Sequence, residues 1–217
     1  MDFAEEISEG SILLGLSLPA TTIATLSRYL VLLIKWNRAF NLTAIRDESK
    51  LVSHHILDSL SVLPHLQEGS VIDVGTGAGL PGLPIAIAEP AREVRLLDSN
   101  NKKVTFLKQA ILELALPNAT TVDERVENYR GPNTYRNVIS RAFSDLADFV
   151  TLSGHLCHAE GRLLAMKGLH PHRELARLPK NWIAEEVASL NVPNLNASRH
   201  LVILRSLQSR QSSLLTA

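Results

Sequence analysis

The chain carries a single cysteine, Cys157, in 217 residues. One thiol builds neither a disulfide framework nor a cysteine zinc site, so no metal is expected and a reducing cytoplasm is the natural setting. Charge of one sign is also missing. Lys+Arg number 22 and Asp+Glu number 22, for a formal net charge of +0. No global field therefore announces a nucleic-acid partner, although a local patch would suffice. Long apolar runs are absent as well. The longest, Leu30 to Ile34, is far too short to span a membrane. The opening residues Met1-Asp2-Phe3-Ala4-Glu5-Glu6 are acidic, and no signal peptide is expected after them. There is no internal repeat and no G-x-x-x-x-G-K-[ST] run, which excludes a P-loop. Hydrophobic residues make up 45%, enough for a packed core, and the length suits one large domain or one domain with a small extension.

What the chain does have is a glycine turn. Val71-Ile72-Asp73-Val74 is a short apolar run around one acid, followed by Gly75-Thr76-Gly77-Ala78-Gly79-Leu80-Pro81-Gly82 and then by a helix-like Leu83-Pro84-Ile85-Ala86-Ile87-Ala88. Strand, tight turn and helix make a nucleotide or nucleoside cradle, in which glycine lets a ligand approach the backbone and the helix start offers free N–H groups. A dinucleotide fingerprint needs a third glycine where Leu80 stands. The spacing is instead Gly75-x-Gly77-x-Gly79 behind Asp73, the usual first motif of S-adenosylmethionine-dependent methyltransferases.

Residues 1–66 read as helical. Ser17-Leu18-Pro19 is a start signal, after which Ile23, Leu26, Leu30 and Leu33 repeat on one helix face. A second helix is expected near Asp47-Glu48-Ser49, with Val52, Ile56, Leu60 and Leu63 as its buried stripe. His55 and Asp58 lie three apart on it and could touch, either to fix helix packing or to form a polar lip over a ligand. From Ser70 onward short strands alternate with helices. Strands are expected at 71–74, 94–97, 120–122, 138–140, 163–166, 187–190 and 201–204, with helices at about 101–114 and 144–157. That alternation predicts an α/β fold, a mostly parallel Rossmann-like sheet of seven strands with the last antiparallel, carrying a helical N-terminal extension. The expected division is 1–66 and 67–217.

Ligands of such sheets bind at the carboxyl ends of the strands. The glycines follow the first. Asp98 follows the second, about twenty residues on, placed to accept both ribose hydroxyls; its competing role is a helix N-cap, which Ser99 or Asn100 could fill instead. After the third, the Val126 N–H and the Glu127 carboxylate are candidates for the adenine edge. Ser140-Arg141-Ala142-Phe143 follows the fourth, where the group being methylated sits, and Arg141 could position that group or the methionine carboxylate. The Asn or Asp followed by two prolines and an aromatic that serves exocyclic amines is absent. Cys157 lies inside a helical pattern and is discounted as a nucleophile. A target that needs no activation remains, such as guanine N7, which has a lone pair and no proton; no catalytic acid or base is then required. Arg162, Lys167, Arg173, Arg177 and Lys180, with His170 and His172, form a basic cluster set only against Glu174. They could contact phosphate or simply form a solvated face.

Lys35-Trp36-Asn37-Arg38-Ala39-Phe40-Asn41-Leu42-Thr43, His55-Ile56-Leu57-Asp58-Ser59-Leu60, the glycine turn, Leu97-Asp98-Ser99, Ile139-Ser140-Arg141-Ala142-Phe143 and Lys167-Gly168 resemble the ribosomal RNA small subunit methyltransferase G family, also called glucose-inhibited division protein B. The resemblance runs over nearly the whole chain. It implies a bacterial enzyme that methylates N7 of one guanine in 16S rRNA, near the decoding site, with S-adenosylmethionine as cofactor; a monomer in the cytoplasm is expected. It implies cofactor contacts at Gly75, Leu80, Val126, Glu127 and Arg141, beside Gly77, Gly79 and Asp98, and RNA contacts at Arg38, His54 and Lys167. Two positions depart from the pattern: His54 stands where many members have arginine, and Asn128 where many have a second acid. Other readings are a small-molecule methyltransferase, a nicotinamide dehydrogenase, which Leu80 opposes, and a non-catalytic ribosome-assembly factor, which Gly75, Asp98 and Arg141 oppose.

Overall fold

A computed structural model describes residues 3–131, 134–143 and 145–207. Seven strands, β1 (Val71–Val74), β2 (Val94–Asp98), β3 (Ala119–Asp123), β4 (Tyr135–Ser140), β5 (Cys157–Lys167), β6 (Trp182–Ser189) and β7 (His200–Ser206), form one sheet in the order β3-β2-β1-β4-β5-β7-β6. The first five run parallel, and β7 is antiparallel to both β5 and β6. All four residues of the central β1 are buried, as a strand covered on both faces requires.

Helices α1 (Ala4–Leu13), α2 (Ala20–Phe40), α3 (Asp58–Leu60), α4 (Gly82–Ala88) and α5 (Asn101–Glu113) share one apolar core with the sheet, while α6 (Leu146–Ser153) closes a second core on the other face. Of the stripe expected on α2, Leu26, Leu30 and Leu33 are buried, and Ile23 is half-buried against the same core. The helix ends at Asn41, which takes a left-handed φ of 51°, a conformation Asn tolerates at a helix terminus.

Several local expectations need correction. The second N-terminal helix is not regular. A 3₁₀ turn, Glu48–Lys50, leads into a π-helical stretch, Val52–Leu57, before α3. Val52, Ile56 and Leu60 are buried as expected, but Leu63 is only half-buried in a further 3₁₀ turn. On this irregular stretch His55 and Asp58 hydrogen-bond to different partners. Cys157 lies outside any helix. Helix α6 stops at Ser153 and a 3₁₀ turn, Gly154–Leu156, delivers Cys157 as the first residue of β5. The expected start of α6, Ser144, lies outside the described residues. Strand β6 runs over Trp182–Ser189 rather than 187–190; it is an edge strand with a register shift between Ala184 and Glu186, which blurs the alternation a sequence reader counts.

Gly79 holds the back of the glycine turn against the core. Its φ is +90°, and a Cβ there would lie 2.4 Å from Leu83 Cδ1 and 3.0 Å from Leu107 Cδ2. Gly79→Ala should therefore lower unfolding stability by about 2–4 kcal/mol, from left-handed strain plus overpacking, read as a drop in the urea midpoint at unchanged slope.

Candidate active site

The turn is tied from inside by Asp73. Its Oδ2 accepts the Thr76 hydroxyl at 2.6 Å and the Gly82 N–H at 2.8 Å. The Leu83 N–H is held by Gly79 O at 2.6 Å and the Ile85 N–H by Pro81 O at 3.2 Å. These donors at the start of α4 are thus engaged within the protein, not aimed at a ligand. That corrects the expectation of free N–H groups at the helix start, and it suits a nucleoside without phosphates better than a dinucleotide.

Above the turn lies a cavity of about 240 Å³ between the ends of β1, β2 and β4, lined by Val74, Gly75, Leu97–Ser99, Glu124–Glu127, Ala142, Phe143 and Leu152. Asp98 forms its polar corner. Oδ2 accepts the Gly77 N–H at 2.9 Å, Oδ1 accepts the Asn100 N–H at 2.9 Å, and the carboxylate is 7% exposed. The cap of α5 is Asn100, whose side chain accepts the N–H groups of Lys102 and Lys103, so Asp98 is not needed as the N-cap. Each carboxylate oxygen has one protein donor and room for another, which is what two ribose hydroxyls require. Leu97, Val126, Phe143 and Leu152 supply apolar walls for a base. The chemistry of this lining, the buried Asp98 carboxylate at one corner of an apolar slot with Glu124 and Glu127 also on its wall, fits the nucleoside half of S-adenosylmethionine.

A second, more polar cavity of about 390 Å³ lies beyond Arg141, lined by Thr43, Ile45, His54, His55, Asp58, Arg141, Met166, Lys167, Gly168 and Arg199. Consecutive residues, Arg141 and Ala142, face the two cavities. Gly75 permits this closeness: its φ is +69°, and a Cβ would lie 3.0 Å from Ala142 Cβ. Asp58, 1% exposed, bridges two arginines, with Oδ2 accepting from Arg141 at 3.0 Å and Oδ1 from Arg199 Nε at 2.9 Å. Arg141 also donates to the His54 carbonyl at 3.3 Å. The His55 ring meets Thr43 Oγ1 at 3.1 Å, and Asn37 Oδ1 accepts the Thr43 N–H, which fixes the Asn-Leu-Thr loop onto the cavity.

Burial pushes the Asp73 carboxyl up to about 6, against the bonds from Thr76 and Gly82 and the charge of Arg141; its Oδ1 has no hydrogen-bond partner. Burial, then the positive charge of Arg141, holds His55 down at about 4. The two shifts act on stability with opposite signs. Between its ordinary 3.8 and about 6, Asp73 binds more protons folded than unfolded, so its contribution falls as pH rises. Between about 4 and its ordinary 6.5, His55 binds fewer protons folded, so its contribution rises with pH. Each swing is roughly 3 kcal/mol, and they largely cancel. Asp73→Asn should therefore make stability climb steeply from pH 4 to 6, and His55→Gln should make it fall, as read from urea midpoints across that range.

The other sequence candidates are distributed as follows. Gly77 touches Asp98 and lies near Lys103, while Gly79 and the buried Leu80 form the back of the turn and do not line either cavity. Val126 and Glu127 line the first cavity; His54 and Lys167 line the second. Arg38 is exposed on a neighbouring cleft that shares Thr43 and Ile45 with the second cavity. Much of the basic cluster is already paired: Arg162 with Glu185, Lys167 with Glu174 and Arg177 with Asp145. Two of those acids lie outside the 162–180 window. Arg199 was missed. It immediately precedes β7, and in an antiparallel strand it is the start, not the end, that lies at the ligand edge; reading that position would have found it.

A family model described as rRNA small subunit methyltransferase G matches residues 22–202. The ribosomal RNA small subunit methyltransferase G of Nitrosospira multiformis is 49% identical over 212 residues, covering 94% of this chain and 98% of that protein. The protein of the same name from Chromobacterium violaceum is 50% identical over 198 residues, covering 91% and 95%. Among solved structures, a SAM-dependent methyltransferase from Aquifex aeolicus superposes with a TM-score of 0.60 at 15% identity, covering 76% of this chain and 96% of that one, a likeness of fold.

Proposed function

The chain belongs to the rRNA small subunit methyltransferase G family, and from that membership we propose that it moves a methyl group from S-adenosylmethionine to N7 of one guanine in 16S rRNA. The observation that carries the reading is the pair of cavities meeting at Arg141 and Ala142, one shaped for a nucleoside and the other polar and cationic. In this reading Asp98 holds the ribose hydroxyls, with Gly75 and Gly77 letting the cofactor lie against the turn. Val126 and Glu127 border the adenine, and Gly79 and Leu80 support the loop from behind. Arg141 positions the target base where the two cavities approach each other. His54, Lys167 and, from the adjoining cleft, Arg38 face the RNA strand. When bound, the cofactor supplies an electrophilic methyl on a good leaving group, so the protein contributes orientation and water exclusion rather than a base. Residues 1–66 supply one wall of the second cavity, and 67–217 supply its other wall and carry the first.

No helix among the described residues is long and apolar enough to cross a membrane. The proposed setting is the bacterial cytoplasm and the acting form a monomer.

The test is incubation with methyl-labelled S-adenosylmethionine and either naked 16S rRNA or assembled small subunits, followed by nucleoside analysis. Label in 7-methylguanosine from one of the two supports the reading. Label confined to small molecules, or to another RNA position, rejects it.

A further inference from the structure

A cavity built only to grip RNA phosphate gains nothing from a buried acid, yet Asp58, 1% exposed, stands in the wall of the second cavity between two guanidiniums. Its cost is plain. It repels phosphate and must be desolvated, and it cancels one of the two arginine charges. Both arginines reach it from different parts of the sheet, Arg141 from the end of β4 and Arg199 from the start of β7.

The reaction of the preceding section, on which this inference rests, gives the acid a purpose. The N7 lone pair forms a bond to the methyl carbon while the S–CH₃ bond breaks and its electron pair stays on sulfur. No proton leaves, since N7 carries none, so the positive charge of the sulfonium passes to the purine ring. That charge arrives in a cavity already lined by Arg141 and Arg199. Lys167 there is matched by Glu174 at 2.7 Å, and His55, held down at about 4, is neutral at pH 7. With both guanidiniums unopposed, the cavity would resist the migrating charge.

We propose that Asp58 is a charge-balancing and positioning residue, which holds Arg141 and Arg199 in place while keeping the base cavity's arginine pair at a net charge of +1, so that positive charge can move onto the target guanine. The proposal separates turnover from binding. In Asp58→Asn the pair rises to +2. RNA should bind equally well or up to severalfold more tightly at low salt, while kcat at saturating RNA should fall roughly tenfold to hundredfold. Asp58→Glu, which keeps the charge, should recover most of the turnover. The double variant Asp58→Asn/Arg199→Gln returns the pair to +1 and should turn over severalfold faster than Asp58→Asn alone.

RNA affinity by fluorescence anisotropy and single-turnover rates on each variant decide the matter, with melting curves to confirm folding. Weaker RNA binding in Asp58→Asn overturns the proposal, as does an unchanged kcat or a double variant no faster than the single. The affinity arm needs no turnover, so it judges Asp58 even if wild-type protein leaves guanine N7 unmethylated, a result that would sink the preceding reading instead.

Discussion

Asp98→Asn should raise the Kd for S-adenosylhomocysteine by about 10²-fold while leaving the fold intact. Two ribose hydroxyls on a carboxylate are charge-assisted bonds worth about 1.5–3 kcal/mol each, and an amide keeps one acceptor and loses the charge, for a net loss near 3 kcal/mol. The Gly77 bond does not share that loss, because the amide oxygen can still accept the N–H now held at 2.9 Å; the amide nitrogen cannot accept the Asn100 N–H that Oδ1 holds, a loss confined to the loop. The side-chain cap of α5 still rests on Asn100. Titration calorimetry with the demethylated product reads the change directly. A Kd within threefold of wild type would mean that Asp98 only braces the turn, and the ribose assignment would fall. Lys103 Nζ, 3.8 Å from Asp98 Oδ2, offers a finer check: Lys103→Met should alter the affinity far less, since the ammonium is too distant to hold the carboxylate by itself.

The sequence made the sheet legible because its signals are local. Strand β1 is short, apolar and followed at once by glycines with positive φ, and no helix pattern competes with it. Asp98 was legible for the same reason, lying at a fixed interval on the next strand end. The second cavity was not. Its walls come from the 43–58 segment, from 141, from 166–168 and from 199, brought together only by tertiary packing. Two further facts hid it. The π-helical turn at Val52–Leu57 has no residue signature, so a regular helix was the only basis for judging which side chains meet, and it did not reveal that His55 and Asp58 share a cavity wall with different hydrogen-bond partners. The partners of the basic cluster, Asp145 and Glu185, sit on other elements, so a count within one window overstated the free charge. What a linear reading recovers well is chemistry carried on consecutive residues; what it loses is chemistry assembled across a bulge or a reversed strand.

Arg141→Ala should cost at least about 10³-fold in kcat/KM, the scale expected when a positioned charge beside the reacting atoms is removed. Loss of activity alone would not separate a positioning role from a collapsed cavity, but the electrostatics supply a sign. Arg141 holds the His55 imidazole down and lowers the Asp73 carboxyl, so its removal should move both upward, His55 from about 4 toward its ordinary range and Asp73 above about 6. Arg141→Lys makes the contrast sharp. It keeps the charge, so His55 should stay low, yet the lysine ammonium sits on a shorter side chain than the guanidinium, whose outer nitrogen Nη1 reaches both Asp58 Oδ2 and the His54 carbonyl. Activity should therefore remain depressed roughly tenfold to hundredfold with the titrations unmoved. Imidazole proton shifts followed across pH 3 to 8, alongside methylation rates, test both variants. If Arg141→Lys recovers full turnover, the geometry of the guanidinium is irrelevant and Arg141 acts only as a charge. If Arg141→Ala leaves His55 titrating where it does in the wild type, Arg141 does not stand where the two cavities meet, and its assignment as the group that places the base is wrong.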